Sequence, residues 1–111
     1  AQAILKQGLA VLPEDPDLHH ALGLSLIRSQ HYDAAMPELA LAAKLAPENA
    51  RYTYVYAVAL HSMGNARQAI TTLETALQQH PYDRQIMEAL VAFYREVGEL
   101  EKAKTIAARL Q

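Results

Sequence analysis

The chain has 111 residues, 51% of them hydrophobic, with ten Lys and Arg against twelve Asp and Glu for a formal net charge of −2. That hydrophobic share suits one soluble globular domain with one core and argues against disorder. The charge balance lacks the clustered basic face that a nucleic-acid backbone or an anionic membrane surface demands, which speaks against both as partners.

The first predicted element is a helix over residues 1–12, with Ile4, Leu5, Leu9 and Leu12 on its apolar side. Pro13 stops it, and Asp15 stands ready to accept hydrogen bonds from the unpaired amides of a second helix that opens on Pro16, a residue suited to a first helical position. Leu18, Leu22 and Leu26, with Ala21 and Ile27 beside them, give this helix the i, i+4 spacing of an amphipathic face. A third helix follows with Met36, Leu39, Ala40, Ala43 and Leu45 inward. Asp33 is its expected cap, which would place Pro37 in the first turn, where a missing amide costs little.

Pro47 and Asn49 then repeat the stop and the cap. In the run RYTYVYAVALH (51–61), Tyr52, Tyr54 and Tyr56 alternate as they would in a strand, but the phase of the flanking prolines decides for a helix. On that helix Tyr56 takes the buried phase of Leu22 and Leu90, and Tyr54 points the other way. Gly64 accepts the left-handed conformation that closes a helix. Pro81 and Asp83 punctuate again, Gly98 repeats Gly64, and a last helix is predicted over residues 101–110. Gln30 occupies the phase of Gly64 and Gly98 and should carry some strain there.

Pro13, Pro47 and Pro81 recur at an interval of 34 residues. In this phase residues 1–15 form the trailing helix of a truncated repeat, 16–49 and 50–83 are full repeats of two helices, and 84–111 is a repeat cut short at its C-terminal end. A start at Ala1 rather than Met reads as an excised piece, and AQAILKQG is neither long nor apolar enough for a signal sequence.

The chain resembles the tetratricopeptide repeat, whose pattern is Trp, two residues, Leu-Gly, two residues, Tyr, then Ala, three residues, Phe, and finally Pro. The repeat at 16–49 offers His19, Leu22-Gly23, Leu26, Ala35, Leu39 and Pro47; that at 50–83 offers Thr53, Tyr56-Ala57, Leu60, Ala69, Leu73 and Pro81. The third gives Met87, Leu90-Val91, Tyr94, Ala103 and Ala107, and the leading fragment keeps phase with Ala1, Leu5, Gly8 and Pro13. Small residues such as Gly23 and Ala57 let the two helices of a hairpin approach, facing Ala35 and Ala69. Val91 departs from this pattern, and Ala107 returns the volume.

The resemblance implies an all-α antiparallel helix-hairpin solenoid of about three and a half repeats. It also implies a concave groove, lined by the first helix of each repeat, that binds an extended peptide or a helix. Carried over by phase, that groove holds His20, Leu24, Ile27, Arg28, Tyr54, Val58, His61, Glu88, Ala92 and Arg95. Its middle is apolar and its margins carry mixed charge, which points to a partner with an apolar or aromatic segment. Family members that hold acidic C-terminal peptides use a two-carboxylate clamp of Lys, Asn and Arg. The clamp places here hold His20, Leu24, Val55, Gln85 and Ala89, so that ligand class is disfavoured.

Catalytic, metal and cofactor chemistry find little support in the sequence. His19 and His20 are adjacent and diverge by about 100° on a helix, unlike an i, i+4 ligand pair, and His31 and His80 fall near helix ends. Ser25, Ser29 and Ser62 lack a nucleophile motif, and there is no glycine-rich phosphate loop. With no cysteine there is no disulfide, thiolate site or thiol nucleophile, and cytoplasm and periplasm both stay open. No run approaches the ~18 apolar residues of a membrane span.

The expected role is a protein-binding or assembly module, not an enzyme, with no cofactor. The competing reading is a non-catalytic helper domain of a larger multidomain enzyme or secreted redox protein. An RNA-reading helical repeat would need a basic concave face, which Glu88 and the overall charge oppose. Apolar residues at the two ends, Ile4, Leu5, Leu9 and Leu12 with Ile106 and Leu110, further predict homo-oligomers through uncovered terminal helices.

Overall fold

Backbone hydrogen-bond demands explain the architecture. In the computed structural model, which describes residues 1–111, seven α-helices carry nearly the whole chain and no strand forms. They are α1 (Gln2–Val11), α2 (Pro16–Arg28), α3 (Tyr32–Leu45), α4 (Ala50–Ser62), α5 (Ala66–Gln79), α6 (Arg84–Glu96) and α7 (Leu100–Arg109). The all-α repeat class expected from the sequence is the class observed. No helix is long and apolar enough to cross a membrane.

The punctuation works as the residue types require. Asp15 Oδ1 accepts from the Leu18 amide at 3.0 Å, Asn49 Oδ1 from Tyr52 at 3.3 Å and Asp83 Oδ1 from Ile86 at 2.9 Å, so each long boundary caps the helix that follows it. The short turns use a different device. Gln30, Gly64 and Gly98 have φ of 64°, 89° and 82°. The next amides, of His31, Asn65 and Glu99, reach back to the carbonyls of Leu26, Leu60 and Tyr94 at 2.8, 2.9 and 2.8 Å. These are Schellman closures, and they satisfy carbonyls that the helix ends would otherwise strand. Gln30 makes the same closure without being glycine, as its phase predicts.

Because the closing amide is already at His31, α3 starts at once. Asp33 is therefore not its cap: the N-cap is His31, which makes no side-chain capping bond, and Asp33 lies inside the first turn. Pro37 consequently falls at the sixth helical residue, where its ring removes a donor that the Asp33 carbonyl would have used. At the chain ends α1 is one residue shorter at each side than the sequence suggests, and α7 begins one residue earlier.

The chain forms two compact units, Ala1–Tyr56 and Ala57–Gln111. In the first, α2 packs on both α1 and α3. Leu22, Leu26 and Ala35 are its buried cluster, with Leu5, Leu9 and Ile27 packed against it. Leu39 is fully enclosed. Gly23 makes room for it: a Cβ built on Gly23 would lie 2.6 Å from Leu39 Cδ2 and 2.8 Å from its Cγ. The small residue thus serves close approach, but toward Leu39 rather than Ala35. Gly8 does the same for α1, where a Cβ would meet Leu18 Cδ1 at 3.1 Å.

In the second unit α6 packs on α5 and α7. Its apolar face, Ile86, Met87, Leu90, Val91 and Phe93, is buried together with Ala69, Ile70 and Leu73 of α5 and Ala103 of α7. Tyr94 is buried as well and donates its hydroxyl to Glu74 Oε2 at 2.6 Å, as an enclosed phenol must. Burial, and after it that hydrogen bond, push the phenol far above its ordinary pKa. Val91 is buried and Ala107 is half-buried. Tyr56 is only half-buried, unlike Leu22 and Leu90 at the same phase, consistent with a ring whose hydroxyl end needs polar company.

Candidate functional site

The ten residues projected onto a binding face lie on three helices: His20, Leu24, Ile27 and Arg28 on α2, Tyr54, Val58 and His61 on α4, and Glu88, Ala92 and Arg95 on α6. None is buried. Arg28, Glu88, Ala92 and Arg95 are exposed and the other six keep partial access to solvent. Neighbours one or two positions away on the same helices, Leu22, Leu26, Ala57, Leu60, Leu90 and Phe93, are closed into the cores. On each helix, then, exposed and half-buried positions alternate with closed ones at helical spacing.

Within the first unit the face is partly committed to internal contacts. His20 stacks on Tyr52 with ring centroids 4.2 Å apart and planes 18° from parallel. The Tyr52 hydroxyl donates to Asp17. That bond, followed by burial, pushes the phenol up to about 12. Burial, and after it the charge of Arg51, push His20 below its ordinary value against the pull of Asp17. The His20 Nδ1 atom is enclosed without a hydrogen-bond partner. Ile27 packs against the buried cluster of Leu22, Leu26 and Ala35, so only part of its side chain is open to a ligand.

The second unit pins its histidine more firmly. His61 stacks on Phe93 at 4.1 Å with planes 3° from parallel, and Nε2 donates to both oxygens of Glu96 at 2.8 and 2.9 Å. Glu99 is gripped by Arg67 and by Lys102, the latter at 3.1 Å. The hydrogen bond from Arg67, then that from Lys102, holds its carboxyl below the usual range. Lys102 also lies 5.9 Å from the Tyr94 ring centre, in cation–π range.

Sequence reasoning picked out His20, His61 and Tyr54 but missed Tyr52, Asp17, Phe93 and Glu96, which fix those histidines. It also left His19, at the repeat's Trp position, as an ordinary packing or surface residue. The structure gives His19 two oxygen partners, Glu38 Oε1 at 2.7 Å and the Pro13 carbonyl at 2.7 Å. His31 and His80 sit at helix boundaries as expected, and His31 Nδ1 pairs with Ser29 Oγ at 2.8 Å. No three His, Asp or Glu side chains gather in a way that could hold a metal ion.

Comparison with known proteins bears on the repeat family and the fold. Models of the tetratricopeptide repeat match residues 16–49 and residues 60–111. Among solved structures the chain is similar to MamA AMB-1 in its P212121 crystal form, at 28% identity and a TM-score of 0.82, covering 97% of this chain and 59% of that one. It is similar also to MamA MSR-1, at 27% identity and 0.77, covering 97% and 62%. A further MamA crystal structure at 19% identity shares the fold, with a TM-score of 0.87 over 97% and 63%. The chain thus spans about three fifths of the MamA chains it matches. No curated protein matches it by sequence. With both family matches falling on helices built from the 34-residue punctuation, the chain belongs to the tetratricopeptide repeat family.

Proposed function

We propose that this chain is a non-catalytic protein-interaction scaffold that binds a peptide or helix on the face formed by His20, Leu24, Ile27, Arg28, Tyr54, Val58, His61, Glu88, Ala92 and Arg95. The observation that carries the reading is the solvent access of all ten, next to core neighbours that are closed. The whole chain acts as one module, with its repeats divided at 15/16, 49/50 and 83/84. Leu24, Tyr54 and Val58 offer apolar and aromatic area, so the partner presents an apolar or aromatic segment. Lys, Asn and Arg are absent from the clamp places, which speaks against an acidic C-terminal tail as ligand. The test is to identify a partner by cross-linking in native lysate and measure its affinity for the variant Leu24→Ala/Tyr54→Ala. Affinity should fall by about 2 kcal/mol or more, the cost of a central anchor, with helicity and melting temperature kept. Equal binding would remove the assignment.

Self-association is part of the same proposal. On α1, Ile4 and Val11 are 71% and 77% exposed and Leu12 is also open, an apolar surface that a second copy can cover. Ile106 and Leu110 are half-buried. Light scattering over a concentration series should show association that Ile4→Glu/Val11→Glu abolishes. A chain that stays monomeric to high concentration would refute it.

A further inference from the structure

His19 is buried, with 7% of its surface exposed, and it joins three pieces of the first unit. It stands in the first turn of α2. Its Nε2 faces the Pro13 carbonyl in the α1–α2 loop, and its Nδ1 faces Glu38 on α3, both at 2.7 Å. A carbonyl oxygen and an ionised carboxylate can only accept. A neutral imidazole has one N–H and one lone pair, so it can satisfy only one of them and must set its lone pair against the other. The doubly protonated ring satisfies both.

We propose that His19 is a proton-operated latch that ties the α1–α2 loop at Pro13 to α3 at Glu38 and lets go of Pro13 when it loses its proton. The carboxylate is the stronger acceptor, so the neutral ring keeps its remaining proton on Nδ1 and Nε2 turns its lone pair to the carbonyl. The charged groups acting on the ring are Glu38 from α3 and Asp15 from the loop. Burial is the largest single influence and lowers the pKa, but the bonds to Glu38 and Pro13, with the charges of Glu38 and Asp15, together hold it above the ordinary 6.5. The stabilisation is thus complete below 6.5 and is lost as pH rises through the folded value. What the latch controls is α1, whose Leu5 and Leu9 cover the cluster of Leu22, Leu26 and Ala35. Its release uncovers apolar surface.

The test is NMR on the full chain from about pH 5 upward, following the His19 ring nitrogens and the amide protection factors of α1, corrected for intrinsic exchange. Both ring nitrogens should carry protons up to and beyond 6.5. Protection of α1 relative to α3 should then fall about tenfold or more with the same midpoint, as expected for losing a hydrogen bond to a charged group. His31 also touches the tether of α1, because it pairs with Ser29, whose hydroxyl accepts from Gln2 at 3.0 Å. Glu38→Gln separates the two histidines. It should move the His19 midpoint and the loss of α1 protection to lower pH together, because Glu38 bonds His19 and His31 pairs with Ser29 instead. His19→Phe should abolish the pH step. A bare ring nitrogen below pH 6.5, α1 protection that ignores the His19 titration, or a midpoint unmoved by Glu38→Gln would each overturn the latch.

Discussion

Gly23 offers a sharp test of the packing, because its two contributions have opposite signs. Replacing it by Ala in the middle of α2 should gain about 1 kcal/mol of helix propensity. Against this, the new methyl would sit 2.6 Å and 2.8 Å from Leu39 Cδ2 and Cγ, and 3.3 Å from the Leu39 amide nitrogen. Leu39 is completely enclosed and has nowhere to retreat, so the clash should cost about 1–3 kcal/mol, typical of overpacking. The net expected effect of Gly23→Ala is a destabilisation of about 0–2 kcal/mol. Leu39→Ala alone should cost about 2–5 kcal/mol through lost burial and the cavity left behind. In that background Cδ2 and Cγ are gone and only the amide nitrogen at 3.3 Å stays close, so Gly23→Ala should turn stabilising by up to about 1 kcal/mol. Denaturant melts of the four proteins, followed by far-UV circular dichroism, give the coupling directly. A cycle in which Gly23→Ala has the same effect in both backgrounds would show that the two residues do not meet.

Two further outcomes follow from the turns and the tyrosines. Gln30→Gly should raise stability by about 1 kcal/mol by relieving its positive φ, whereas Gly64→Ala and Gly98→Ala should lower it by about 1–2 kcal/mol although no atom crowds either site; denaturant melts in which glycine and alanine are interchangeable there would contradict the backbone argument. Asp17→Asn should bring the Tyr52 phenol down from about 12 toward the ordinary 10.0 in an absorbance titration. Since the folded value is the raised one, the stability that this bond contributes is whole below pH 10.0 and disappears as pH climbs toward 12, a decline that should be shallower in Asp17→Asn, where burial of Tyr52 and the raised Tyr94 phenol remain.

What was legible in the sequence divides along the range of the interaction. Asp15, Asn49 and Asp83 as caps, and Gln30, Gly64 and Gly98 as left-handed closures, could be read because a cap or a positive φ is decided by residues within one turn. Asp33 failed as a cap for a related reason: the Schellman closure had already consumed the turn at His31, and the sequence does not show which local device comes first. Partner identity across a hairpin was less visible. Periodicity puts Gly23 on the face toward α3, but whether Ala35 or Leu39 fills the space depends on the offset between the helices, which no single-helix pattern contains.

The missed partners nevertheless obey a rule that the sequence could have supplied. Tyr52 touches His20 and Asp17, which lie 32 and 35 residues before it, and His61 touches Phe93 and Glu96, 32 and 35 residues after it. These separations straddle the 34-residue period and differ by three, the spacing that brings two side chains onto one helical face. One ring is thus received by an i, i+3 pair belonging to the adjacent repeat, a stacking partner and a carboxylate in each case. Arg67 and Glu99, also 32 residues apart, join on the same principle. Searching a repeat sequence for aromatic and charge-complementary pairs at the period minus two and plus one would have singled out Tyr52, Phe93 and Glu96 before any coordinates. In a repeat fold the neighbour in space is a neighbour in phase, so long-range pairing becomes readable once the period is known.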